Sequence, residues 1–233
     1  QRSINDNSLY PKMSKKFILA NAACQKGKGT DFTRKMIKRY LWNYFCNYGN
    51  EGGVIQIDIH GYYPNMRHDK VSECFQKGVD QDTYEMSMDV LDSQYAGDTG
   101  YNPGSQMVQI AGISLLNELD HYIKEQLHIR YYIRYMDDLW ILWHDMEDLQ
   151  RWFKIIEDKL LELEFELNSR KSHVAKLSKG FLFLGFYYRM TSTGKIIMTL
   201  NSDNVRHERK KLRRMVNKSR KGEIEPSKID ECY

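Results

Sequence analysis

Three aspartates stand where an apolar β-type chain should reject them. Asp58 lies inside the run Val54-Ile-Gln-Ile-Asp-Ile59, and Asp137-Asp138 separate Tyr132-Ile133 from Leu139-Trp140. A carboxylate in such surroundings is costly unless something positive compensates it. A plain alternative exists for the Asp137-Asp138 pair, because Asp is common in hairpin turns. Asp58 is less easily dismissed, because a strand interior disfavours Asp. If the two strands are neighbours, three carboxylates converge at one sheet edge. An all-oxygen site of that kind suits Mg²⁺, which keeps waters and substrate phosphates in its shell. Two such ions about 4 Å apart activate an attacking hydroxyl and stabilise a leaving oxygen in phosphoryl displacement.

Composition narrows the class. The 233 residues are 41% hydrophobic with four prolines, enough for a packed core and against a disordered, collagen-like or coiled-coil chain. No apolar run approaches the roughly 18 residues of a membrane helix, so no membrane partner is expected. The N-terminus does not read as a signal peptide. Cys24, Cys46, Cys74 and Cys232 are far apart without C-x-x-C spacing, which fits a reduced, cytoplasmic setting better than zinc or disulfides.

Net charge is only +4, but its distribution is uneven. Lys12 to Arg39 holds nine basic residues against one acid, and Arg206 to Lys221 again nine against one, whereas Asp145 to Glu166 carries eight acids and three bases. Two basic ends suggest a polyanion held at two places; solvated helix faces are the bland reading.

Periodicity predicts a helix over 30–49, capped by Thr30 or Asp31, and a strand over 54–59 after Gly52-Gly53. A helix starts at a His68-Asp69 cap and buries Val71, Cys74 and Phe75; another runs over about 82–95. One long helix is predicted over about 105–127. Strands 131–135 and 139–143 flank the aspartate pair, and a helix covers about 145–163. Residues 181–188 and 195–200 read as a hairpin around Thr193-Gly194. A basic helix from Val205 follows.

Five motifs in order resemble one family. Tyr135-Met-Asp-Asp138 matches the Y-x-D-D box of reverse transcriptases, and Asp58-Ile-His-Gly-Tyr-Tyr63 resembles their first palm motif. Gly100 through Gln109, then Leu116-Asn-Glu-Leu-Asp120, resembles the G-x-x-x-S-Q and L-N-x-L-D runs of the bacterial enzymes. Phe183-Leu184-Gly185-Phe186 resembles the primer-grip hairpin, and Ala23-Cys-Gln-Lys-Gly-Lys-Gly-Thr30 a fingers motif. The flavour is that of diversity-generating retroelement, group II intron and retron enzymes.

The resemblance implies an α+β right-hand polymerase: an antiparallel palm sheet backed by helices, mostly helical fingers and a short or partial thumb. It places fingers at 1–53, palm at 54–200 with inserted fingers helices at about 69–100 and the grip hairpin at 181–200, and the start of a thumb at 201–233. It implies RNA-templated DNA synthesis with two Mg²⁺, an RNA template, a DNA primer and dNTPs, and leaves room for an accessory protein or structured RNA. Asp58 and Asp137 would ligate both ions, Asp138 more weakly, with the Ile59 carbonyl completing one shell. Tyr63 would be the steric gate against a 2′-hydroxyl; a core aromatic is the alternative. Lys26 and Lys28 would reach the triphosphate as mobile charges, or belong to a solvated loop. Gly104 and Gln109 would line the nucleotide pocket, and Lys171 would protonate pyrophosphate unless it is an ordinary surface lysine. Phe183, Leu184 and Gly185 would hold the primer, and Arg209, Lys210, Arg213 and Arg214 the duplex phosphates. Gln25 stands where relatives often carry Arg, and Val108 replaces the Ser of G-x-x-x-S-Q. Two other readings remain: a nucleic-acid-binding palm scaffold without polymerase activity, and a template-independent nucleotidyl transferase.

Overall fold

The computed structural model describes residues 1–225 and 227; Cys232 and the end of the expected thumb segment lie outside them. Helix α1 covers 2–16, with a widened π-type turn at Asn5–Leu9. Pro11 has no N–H to return one turn back, which is where the helix widens. Leu9 and Met13, one turn apart, are buried and anchor this helix, which periodicity did not predict.

Helix α2 (Thr30–Tyr48) matches the predicted span, but its N-cap is Gly29 and no side chain caps it. Strand β1 (Gly53–Asp58) follows. At Gly53 a Cβ would lie 2.7 Å from the Ala175 carbonyl oxygen, and at Gly52, where φ is +96°, 2.5 Å from that of Trp143. The Gly-Gly break thus lets two other segments approach β1. Helix α3 (His68–Gly78) starts after Arg67, and Asp69 spends its carboxylate on Arg67 and on the Lys70 N–H rather than capping as expected. Helix α4 (Gln81–Asp92) is capped by Asp80, which accepts from the Thr83 N–H.

The long helix predicted over 105–127 is broken. Helix α5 (Gln106–Leu115) stops at Leu116 (φ −98°, ψ 7°), and α6 (Asn117–His121) leads into a π-type turn at Tyr122–Gln126. Around the break Arg134 takes the Ile113 carbonyl at 3.0 Å and the Ser114 hydroxyl takes that of Ile110 at 2.7 Å. Side chains compete there for the acceptors that helical N–H groups use.

Strands β2 (Tyr131–Tyr135) and β3 (Asp138–Trp143) form the expected hairpin. Helix α7 (Met146–Glu162) is capped by Asp145, and β4 (His173–Lys176) completes an antiparallel sheet of order β2-β3-β1-β4. A second sheet, β5 (Phe181–Phe183), β6 (Phe186–Met190) and β7 (Ile196–Leu200), corrects the single strand predicted over 181–188. Leu184 and Gly185 both adopt positive φ, 47° and 79°, and fold that run into a tight turn. Helix α8 (Ser202–Arg220) buries no residue.

Two cores form on opposite faces of the four-stranded sheet. Ile55, Ile57, Tyr132, Leu139 and Ile141 pack with α1 and α3–α7. Val54, Tyr131, Ile133, Trp140 and Leu142 pack with α2 and the second sheet. The alternation of each strand decides this sorting. It also puts Gln56, Asp58 and Asp138 on the second face, beyond the end of its core.

Candidate active site

Strands β1 and β3 bring two carboxylates opposite each other, Asp58 pairing with Asp138 across the ladder. Asp137 occupies the turn just before, after Met136 at φ 55°. The Ile59 N–H donates to the Asp137 carbonyl at 3.3 Å, tying the end of β1 to that turn. The expected adjacency is therefore present. The expected convergence is partial: among the described residues, no three His, Cys, Asp or Glu side chains are grouped closely enough for one ion.

Asp58 is held by the loop that follows α7. Asn168 donates from its side-chain amide to Asp58 Oδ1 at 2.8 Å, and Lys171 from its ammonium to Oδ2 at 2.7 Å. Ser172 both accepts from the Asp58 N–H and donates to its carbonyl, each at 3.1 Å. The bond to Asp58 raises the Lys171 pKa above its ordinary value. Of this clamp, the sequence points only to Lys171; Asn168 and Ser172 carry no periodic signal.

Among the described residues, no side chain donates to Asp137 or Asp138. Burial, then Asp137 and Asp58, pushes Asp138 up to about 7; burial first, with Asp58 adding to it, raises Asp137. The donors are hard oxygens in a partly desolvated place, three carboxylates beside the single Lys171 ammonium. That chemistry fits Mg²⁺.

A fully buried ion pair fixes the turn from beneath. Arg134 is 0% exposed and donates to Asp120 through Nε at 2.8 Å and Nη2 at 2.6 Å. Its Nη1 reaches the Met136 carbonyl at 3.0 Å, and the Tyr132 hydroxyl donates to Asp120 at 2.6 Å. Asp120 was visible only as the last letter of a motif. Arg134, between Ile133 and Tyr135, reads as an ordinary strand cation and gives no sign of its full burial.

Beside Asp58 and Asp138 opens a cleft of about 490 Å³, lined by Gln56, Lys171, Leu182, Phe183, Leu184 and Gly185 among others. The Gln56 side chain donates to the Leu182 carbonyl, holding β5 to the sheet. The tight turn is further fixed by the Asn201 N–H, which donates to the Gly185 carbonyl at 2.9 Å.

On the other side of the aspartates, Tyr62 is buried, packs 4.9 Å from the Phe165 ring and donates to the Gly112 carbonyl. Tyr63 is half-buried, edge-on to Tyr62 at 5.6 Å. Burial, then Cys24 and Asp137, raises its hydroxyl pKa. Gln109 donates to the Pro103 carbonyl at 3.2 Å, and the Gly104 N–H to the Asn102 side chain at 3.2 Å. Lys26 and Gln109 line one pocket of about 280 Å³ together with Cys24, Gln25 and Tyr10. Lys28 is not a mobile charge: its ammonium donates to the carbonyls of Asn21 at 2.7 Å and of Ile18 and Leu19 at 3.3 Å. Burial lowers its pKa.

Arg209, Lys210, Arg213 and Arg214 lie on α8, the chain's last described helix, all exposed, and none of them lines the cleft beside Asp58 and Asp138. Among the described residues no helix is long and apolar enough to cross a membrane.

An antiparallel sheet that offers carboxylates from its two central strands, flanked by a tight hairpin and a helical layer, is the palm of a right-hand nucleic-acid polymerase. Residues 13–188 match the family described as Reverse transcriptase (RNA-dependent DNA polymerase), and the chain belongs to that family. No curated protein matches it. Among solved structures it is similar to apo telomerase from Candida tropicalis truncated from its C-terminal domain, with a TM-score of 0.62 at 13% identity over 85% of this chain and 45% of that one. It is also similar to telomerase from Candida albicans in complex with the TWJ fragment of telomeric RNA, with a TM-score of 0.59 at 11% identity over 83% of this chain and 37% of that one. The chain thus spans less than half the length of these telomerases, and at such identity the likeness is one of fold.

Proposed function

We propose that this chain is the polymerising part of a reverse transcriptase, copying an RNA template into DNA from a primer 3′-hydroxyl with dNTPs. The observation that carries the reading is the Asp58–Asp138 pairing with Asp137 in the adjoining turn, beside the Phe183–Gly185 grip. Asp58 and Asp137 would hold two Mg²⁺, with Asp138 a weaker ligand and the Ile59 carbonyl completing one shell. When bound, such ions neutralise phosphoryl charge and acidify the attacking hydroxyl.

The remaining roles belong to the chain itself. Asn168 and Ser172 orient Asp58; Arg134 orients the turn that carries Asp137 and Asp138. Tyr63 bars a 2′-hydroxyl, while Tyr62 supplies the core contact. Lys171, its charge favoured by Asp58, is the proton source for pyrophosphate. Lys26, Gly104 and Gln109 serve the nucleotide pocket. Lys28 contributes by fixing the 18–21 backbone. The turn at Phe183–Gly185 positions the primer, and Arg209, Lys210, Arg213 and Arg214 take duplex phosphates.

The division we favour is fingers at 1–53 and about 69–100, palm at 54–200 and the start of a thumb from 201. The motif set favours the diversity-generating retroelement, group II intron and retron group within the family, with an accessory protein or structured RNA as a further partner. The free thiols of Cys24, Cys46 and Cys74 suit a reduced, cytoplasmic setting. Primer extension on an RNA template, against a no-template control, tests the reading. DNA made without template would favour the template-independent transferase.

A further inference from the structure

Helix α2 carries an outer face that the polymerase reading leaves unused. Lys35, Lys38, Arg39, Trp42 and Cys46 are all exposed. At 3.6 residues per turn they form one stripe, opposite the buried Met36, Ile37, Leu41 and Tyr44. Trp42 leaves 54% of its surface exposed and stacks on Phe45 at 6.3 Å with 26° between the planes. Phe45 is backed by the Gly194 turn, where a Cβ would come within 2.5 Å of its ring. The indole thus lies alongside a ring that the Gly194 turn backs.

The charge of this face is one-sided. From Phe32 to Asn50 the sequence contains no Asp or Glu, and Asp31, the acid at the helix start, is taken by Arg34. Arg34 also lies 4.8 Å over the Phe186 ring, so the stripe begins beside the grip sheet. No residue of α2 lines the cleft between the aspartates and the grip. An aromatic ring among lysines and an arginine that form no ion pair among the described residues is the combination that holds single-stranded nucleic acid, base on ring and phosphates on cations.

We propose that this face docks a single-stranded segment of RNA outside the primer–template cleft, with a base on Trp42 and flanking phosphates on Lys35, Lys38 and Arg39. The proposal rests on the polymerase reading only for RNA being the chain's partner. The test is binding of a short oligouridylate RNA to the full chain whose cleft is saturated with primer–template duplex, by fluorescence anisotropy at several salt concentrations. The oligouridylate should stay bound. Trp42→Ala should weaken it about fivefold or more, and Trp42→Phe should restore most of the loss. Lys35→Gln, Lys38→Gln and Arg39→Gln together should lower the salt slope by about 2, at roughly 0.7 per phosphate contact on a single strand. Bound RNA should also slow alkylation of Cys46, one turn beyond Trp42, as mapped by mass spectrometry.

Complete displacement of the oligouridylate by the duplex would overturn the proposal, because binding would then be in the cleft. Unchanged affinity and slope in folded variants would overturn it as well, and so would equal binding of a polyglutamate peptide to the same face. Failure of the unaltered chain to extend a primer would count against the polymerase reading alone.

Discussion

Arg134 and Asp120 meet through two hydrogen bonds of 2.8 and 2.6 Å, with both side chains 0% exposed. The pair joins the α6 turn to β2, and the same guanidinium holds the Met136 carbonyl just before the aspartates. Breaking a buried pair strands a desolvated charge. Asp120→Ala should therefore lower unfolding free energy by about 3–5 kcal/mol, as read from urea titration. A loss below about 1 kcal/mol would mean the pair does not hold the turn.

Asp138 gives the folded chain a pH signature. Its folded pKa is raised to about 7, against an ordinary aspartate near 3.9. Between those values the native state holds a proton that the unfolded chain has released. Stability without Mg²⁺ should therefore fall as pH rises from about 4 to about 7, then level off. Asp138→Asn should flatten the curve of urea midpoint against pH. Parallel curves for the two proteins would contradict the assignment of that proton.

Much of this was legible because apolar periodicity and turn residues carry it. The β2–β3 hairpin, α2 and α7 follow from pattern, whereas the pairing of Asp58 with Asp138 requires β1 and β3 to be neighbours, which pattern leaves open. What pattern cannot show is which polar groups satisfy each other across the fold. Arg134 reads as one cation in a strand, yet it takes the Ile113 carbonyl beside the point where a helix predicted as continuous breaks. Lys28 reads as a loop charge until its carbonyl partners are seen. Leu184 at φ 47° is the kind of residue a turn prediction passes over, since glycine is the usual signal there. Asn168 and Ser172 are far from Asp58 in sequence, and only the returning loop brings them to it.

Tyr63 tests the nucleotide side of the site. Its ring is half-buried while Tyr62 holds the core contact, so Tyr63→Ala should fold. The ratio of rNTP to dNTP incorporation should rise about tenfold or more, the scale on which a pocket discriminates one small group. An unchanged ratio in an active variant would remove the gate from Tyr63.

Helix α8 buries nothing and carries bases on nearly every face. Neutralising Arg209, Lys210, Arg213 and Arg214 together should weaken duplex binding regardless of sequence. The salt slope should drop by up to about 4, near one unit per lost phosphate contact. Superimposable slopes for wild type and variant would show the helix facing solvent.

On the proposed reading, Asp58 and Asp137 together make the site of nucleotidyl transfer. Single-turnover extension of a DNA primer on an RNA template with Mg²⁺, comparing wild type with Asp58→Ala, Asp137→Ala and Asp138→Ala, addresses it directly. Loss of either of the first two carboxylates should slow extension about a hundredfold or more, the scale of losing a preorganised stabiliser of transition-state charge, and Asp138→Ala should cost less. Near wild-type rates in a folded Asp58→Ala or Asp137→Ala variant would remove these carboxylates from the reaction.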